Sequence, residues 1–180
     1  MAMTSLVGDV ELRINFAGGK TLNVQSSSQP SDPLQYSKKY AFTFGTGALK
    51  VNSLYHRVHS IAKGATLSLD LAGALLDAFG DVFTVGIVKV LAVVNLSDVS
   101  TVPTDAVVEV GGNAAGLVTL FNAVDNAIKV QAGEAKLLVC TPTAAGYVIT
   151  PTTYDLLEIV NLDADDAAEV LVIIAGELTV

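Results

Sequence analysis

Two histidines, His56 and His59, stand three residues apart in "NSLYHRVHSIAKGATLSLDLAG", Asn52 to Gly73, and the chain has no others. Closely spaced imidazoles are a natural place to look for a zinc site or a general base. Three apart on a helix, they would share a face; three apart on a strand, they point to opposite faces and cannot share a metal. The segment has no helical apolar stripe and runs into a turn at Gly64, so the strand reading holds. Leu54, His56, Val58 and Ser60 then face one way, and Tyr55, Arg57, His59 and Ile61 the other.

Other candidate chemistry thins out in the same way. Cys140 is the single cysteine and sits in "KLLVCTP", apolar and without a nearby basic group, where a thiol is not activated and has no disulfide partner within the chain. There is no G-x-S-x-G, and "GTGALK" and "GDVELR" lack the Gly-Lys-Ser/Thr ending of a phosphate loop. "DADDAAE" offers Asp163, Asp165 and Asp166, but without the glycine and distal glutamate of a calcium loop; a solvated turn is the simpler reading. Asp70, Asp77 and Asp81 sit at turns, where carboxylates cap backbone amides. With no Trp and 6% aromatic residues, the chain lacks the aromatic platforms on which sugar-binding clefts rely. These residues point to no catalytic site, no metal and no cofactor.

The elements that would position any site are strands. Runs rich in Val, Leu, Ile and Thr are punctuated by Gly, Pro, Asn and Asp. "VELRINF" and "TLNVQS" flank Gly18-Gly19 and predict a hairpin. "SSSQPSDPLQ", Ser26 to Gln35, reads as a linker, dividing residues 1–40, a hairpin and extended arm, from a domain over 41–180. "ATLSLDLAG" alternates as a half-buried strand, and "VFTVGIVKVLAVVNL" reads as one long strand or two joined at Gly86. One helical turn is expected at Ala74 to Gly80 and a short helix at Leu117 to Val124. "YDLLEIVNLDADDAAEVLVIIAGEL" predicts a closing hairpin around Asp163 to Asp166. "IAKGATLSLDL" and "VQAGEAKLLVC" echo each other, each with a Gly turn before a strand, and read as two equivalent hairpins. About eight to ten strands at roughly 8–12-residue spacing, without regular β-α alternation, predict an all-β antiparallel β-sandwich, jelly-roll-like, with one or two short helices.

Composition adds a hint about partners. Hydrophobic residues reach 51% and charged residues 16%, with a mean hydropathy of +0.54, more apolar than an average soluble domain and suited to a chain that hides surface in an assembly. Residues 1–90 carry 8 Lys/Arg against 6 Asp/Glu, and residues 91–180 carry 2 against 12. A net charge of -8 without a basic stripe argues against nucleic acid, while a mildly basic arm would suit an acidic neighbour. The longest apolar run, Val82 to Leu96, is too short to span a bilayer as a helix and holds Lys89, so no membrane segment is expected; nor is a signal peptide.

The order of segments from Phe42 to about residue 177 carries a resemblance. "LDLAG" and "DAFG" are followed by the valine-rich strand, then "VEVGG", "VQAG" before an apolar strand, "GYVIT", and a closing "IVN" with "VIIAG". This pattern of turns and core positions resembles small structural proteins of tailed bacteriophages, of the capsid decoration or cement type. The resemblance implies a β-sandwich on the outside of a virion capsid, bound to the major capsid protein as a homo-oligomer, with a trimer favoured. An arm of this kind would add a hairpin to a neighbour's edge, which singles out Leu12, Ile14, Phe16, Leu22 and Val24 as partner contacts. The same sandwich could serve in a tail or fibre as a structural or host-attachment module.

Overall fold

The computed structural model describes residues 7–16, 34–73, 75–77, 80–97, 106–112, 116–121, 123, 126–140 and 146–178. Along the chain run β1 (Gly8–Phe16), β2 (Leu34–Phe44), β3 (Lys50–Val51), β4 (Ser53–Ile61), β5 (Thr66–Asp70), β6 (Leu75–Leu76), β7 (Val82–Phe83) and β8 (Val85–Asn95). Then follow β9 (Val108–Gly111), one helical turn α1 (Val118–Phe121), β10 (Ala127–Val130), β11 (Ala135–Val139), β12 (Tyr147–Val148), β13 (Leu156–Asn161) and β14 (Ala168–Leu178). Among the described residues the protein is nearly all β, its strands pairing antiparallel apart from the short parallel pairing of β2 with β3 and an isolated parallel bridge between Gly116 and Leu156. The helices expected from sequence are not formed as such. Leu117 to Val124 holds a single turn, and Ala74 to Gly80 contains β6, paired with β7, because Leu75 and Leu76 find strand partners in Phe83 and Val82.

Two sheets carry the body. One has the order β10-β9-β13-β5 and the other β11-β8-β14-β4, with β12 also paired to β8. Exchanging β4 with β10, β5 with β11, β8 with β13 and β9 with β14 turns one order into the other. The echo around the two glycine turns is the sequence trace of this relation. Those turns are not hairpins, however. β4 and β5 lie in different sheets, as do β10 and β11, and so do β13 and β14, which correct the expected closing hairpin. Each turn is a corner that carries the chain from one sheet to the other, with Gly64 (φ 62°) and Gly133 (φ 72°) in the left-handed region that a side chain resists.

The reason is burial. In β14, Ala168, Val170, Val172 and Ile174 are all buried and alternate with less buried residues, so the strand fits a sheet with one face on a core. A single buried cluster takes Tyr55, Leu91, Val93 and Val172 from one sheet and Leu69, Val108, Val130, Leu157 and Ile159 from the other. Each such side chain contributes roughly 1.5–3 kcal/mol by leaving water. Two asparagines tie the corners. Asn161 donates from its side-chain amide to the carbonyls of Ile61 (3.1 Å), Ala62 (3.3 Å) and Asp166 (2.9 Å), and its Oδ1 accepts from the Asp163 amide. Asn95, its counterpart at the end of β8, donates to Ala106 and Val130 and accepts from the Ser97 amide.

The N-terminal arm forms its own sheet, β1-β2-β3. β1 pairs along its whole length with β2, from Gly8 opposite Phe42 to Phe16 opposite Leu34. The "TLNVQS" segment expected to pair with β1 lies outside the described residues. The expected boundary at residue 40 falls inside β2, which continues to Phe44 before Gly45 (φ 133°) and Gly47 (φ 110°) turn the chain into the body.

Candidate interaction surface

The structure separates the two histidines as the strand reading requires. His56 stands opposite Ile173 and His59 opposite Val170, on alternate faces of β4. His59 is half-buried, its Nε2 2.8 Å from the Tyr55 hydroxyl and its ring stacked on Tyr55 at 6.1 Å. Burial, then the charge of Arg57, lowers its pKa, so the imidazole is held neutral. His56 is exposed on the other face. Cys140 is buried, which raises its thiol pKa, and its amide donates to the Lys89 carbonyl (2.9 Å). A thiol held protonated is a packing group.

The carboxylates are occupied with backbone. Asp163 Oδ1 accepts from the amides of Asp165 (2.7 Å) and Asp166 (3.2 Å), and Oδ2 accepts from Ala106 (2.7 Å); these bonds lower its pKa. Asp70 accepts from the Ala72 amide and Asp77 from the Asp81 amide. Among the described residues no three of His, Cys, Asp and Glu come together as a metal site.

Sequence reasoning noticed Lys89 but missed its partner. Ala175 pairs with Val90 and Gly176 with Val88, so Lys89 is the extra residue of a bulge in β8. The bulge aims its ammonium at Glu177, 2.8 Å away, with Lys89 fully buried and Glu177 nearly so. Gly176 makes room: a Cβ there would lie 2.3 Å from the Ile87 carbonyl oxygen. Glu177 also accepts from the Gly47 amide (2.9 Å), fixing the turn at which the arm leaves the body.

The surfaces of the two body sheets differ. The outward positions of the β10-β9-β13-β5 sheet mix polar Thr66, Ser68, Asp70, Glu158, Glu109 and Lys129 with apolar Leu156, Val160 and Ala127, a largely water-facing pattern. The outward face of the β11-β8-β14-β4 sheet is apolar in three successive rows. Ala135, Val94, Leu171 and Val58 form the first; Leu137, Ala92, Ile173 and His56 the second; Val139, Val90, Ala175 and Leu54 the third. Every position but His56 is apolar.

The arm covers the third row. Phe42 and Val51 are buried there with Val90, and Val10, Tyr40, Val139 and Ala175 pack around them. Grooves of about 200 Å³ and about 210 Å³ lie on either side of Val10, the first reaching Leu54 and Ile173, the second Leu137 and Val139. The first two rows remain open, with Val58 50% and Leu137 42% exposed. Of the arm residues singled out from sequence, Leu12, Ile14 and Phe16 lie in β1 opposite Lys38, Tyr36 and Leu34, at even steps from Val10; their side chains, and Leu22 and Val24 altogether, lie outside the described residues.

Compared with protein-family models, curated proteins and solved structures, the chain matches none of them.

Proposed function

We propose that this chain is a structural assembly protein, a jelly-roll β-sandwich that binds the outside of a tailed-phage capsid and reinforces it. The observation that carries the assembly role is the apolar outer face of the β11-β8-β14-β4 sheet, set against the largely polar outer face of its counterpart. A fold that can make one sheet exterior largely polar has no solubility reason to make the other apolar; such a patch marks a protein contact. The arm is seated at one end of it through Val10, Tyr40 and Phe42, and Leu12, Ile14, Phe16, Leu22 and Val24 are the arm residues proposed to contact a neighbour.

The strand order supports the jelly-roll reading. Numbered in turn from β4, the eight principal strands give sheet orders of first–eighth–third–sixth and second–seventh–fourth–fifth, the arrangement made by two nested Greek keys. That architecture recurs in viral capsid and lectin domains, a fold-level analogy that fits the resemblance of residues 42–177 to phage structural proteins. The role is non-catalytic, with the major capsid protein as partner and a homo-oligomer as the working unit.

Quantitative mass spectrometry of purified particles tests the location. A copy number equal to that of the coat protein, or a simple fraction of it, is expected. A few copies per particle would move the chain to a tail or vertex, and absence from particles would overturn the virion reading.

A further inference from the structure

We infer that the open part of the apolar sheet face is the seat for the arm of a second copy of this chain. The inference rests on the assembly reading above, not on where the assembly sits. Three observations converge on it. First, the face already accepts this chain's own arm: Val10, Tyr40 and Phe42 pack on Val90, Val139 and Ala175. The open rows continue that surface with the same residue types, and the grooves beside Val10 run into them at Ile173 and Leu137.

Second, β1 continues past the residues seated on the face. It starts beside Leu54 of β4, and by Val10 and Tyr40 it has reached Val139 of β11, the opposite edge strand. β1 continues in register with β2 to Phe16. Six further residues at about 3.4 Å each carry the hairpin about 20 Å farther, with a footprint of about 200 Å² at a width of about 10 Å. The two open rows span four strands and measure about 19 by 14 Å, roughly 270 Å².

Third, no charge on the face itself opposes a copy: the chains carry -8 each, but the open rows hold no charged residue. The sequence of β1 repeats the apolar type of Val10 at Leu12, Ile14 and Phe16. Arm-to-face contact is heterologous, so each copy gives one arm and receives another, and the contact closes into a ring such as a trimer. Each junction is small against the roughly 1,200–2,000 Å² of a stable pair, so assembly should depend on concentration.

The test is sedimentation from micromolar to millimolar concentration on the full chain and two variants. One carries V58E and L137E on the exposed face; the other carries L12E and I14E on the arm. The wild type is expected to associate and each variant to remain monomeric. An equimolar mixture of the variants should form a dimer, because one donates an intact arm and the other an intact face. A wild type that is monomeric throughout, variants that associate as the wild type does, or a mixture that stays monomeric would each overturn the inference. If the wild type is monomeric in solution but still loads onto capsids, this inference fails while the proposed function stands; self-association through this face without particle binding gives the reverse.

Discussion

Replacing either member of the Lys89–Glu177 pair should destabilise the protein strongly, while replacing both should not. At 2.8 Å and an effective dielectric of about 20, the two charges attract by about 6 kcal/mol. Desolvation of the two ions costs several kcal/mol each, so the intact pair contributes little net stability. A stranded partner is another matter, at about 3–5 kcal/mol. The Lys89 side chain is 1% exposed and that of Glu177 10%, and Glu177 keeps the Gly47 amide as a donor. Glu177→Gln and Lys89→Met should each cost in that range. Urea unfolding measures both, with unchanged slope m expected. The double variant K89M/E177L should recover to within about 1 kcal/mol of wild type, as apolar replacements of buried pairs do. A single variant costing under about 1 kcal/mol, or a double variant as unstable as the sum of its parts, would refute the reasoning.

Asn161→Ala strips the donors from three carbonyls where the β4–β5 and β13–β14 corners meet. Buried polar groups left unsatisfied cost about 1–3 kcal/mol each, so a loss of about 3 kcal/mol is expected in urea, and Asn95→Ala should behave alike at the pseudo-equivalent corner. The Asp163 carboxyl, held below its ordinary value by backbone amides, contributes stability that is present above the unfolded carboxylate value and lost as pH falls through the folded one; Asp163→Ala should flatten the acid limb of a thermal-melt profile against pH. His59 is also lowered, so the unfolded chain takes up its proton first and stability should fall as pH drops below about 6.5; an NMR titration should place His59 below the ordinary histidine value, and a value at or above it would contradict the Tyr55 packing.

Much of the local structure is legible in the residues themselves. The alternation in "ATLSLDLAG" marks β5, the valines mark β8, and the odd spacing of His56 and His59 on a strand is enough to set them on opposite faces. These are properties of a two-residue period and need no neighbour. The corner asparagines were within reach too: "VVNLS" and "IVNLD" recur at the ends of the counterpart strands β8 and β13, a polar residue closing an apolar run where a buried cap is needed.

What sequence could not decide is which strands meet. A glycine turn between two strands looks the same whether the second folds back beside the first or crosses to another sheet, because the turn is local and the choice is made by the core. Burial of Val170 and Val172 over Leu157 and Ile159 makes β13 and β14 members of opposite sheets rather than a hairpin. The pairing of β1 with β2 likewise joins segments well apart in sequence, Gly8–Phe16 with residues 34–42, which no local signal reports. Lys89 and Glu177 look like ordinary surface charges until a bulge turns one toward the other. The apolar exterior of one sheet is invisible in a strand read alone, since a run apolar on both faces reads as buried; only the stacking of β11, β8, β14 and β4 shows that one of those faces looks outward, and that the arm covers only part of it.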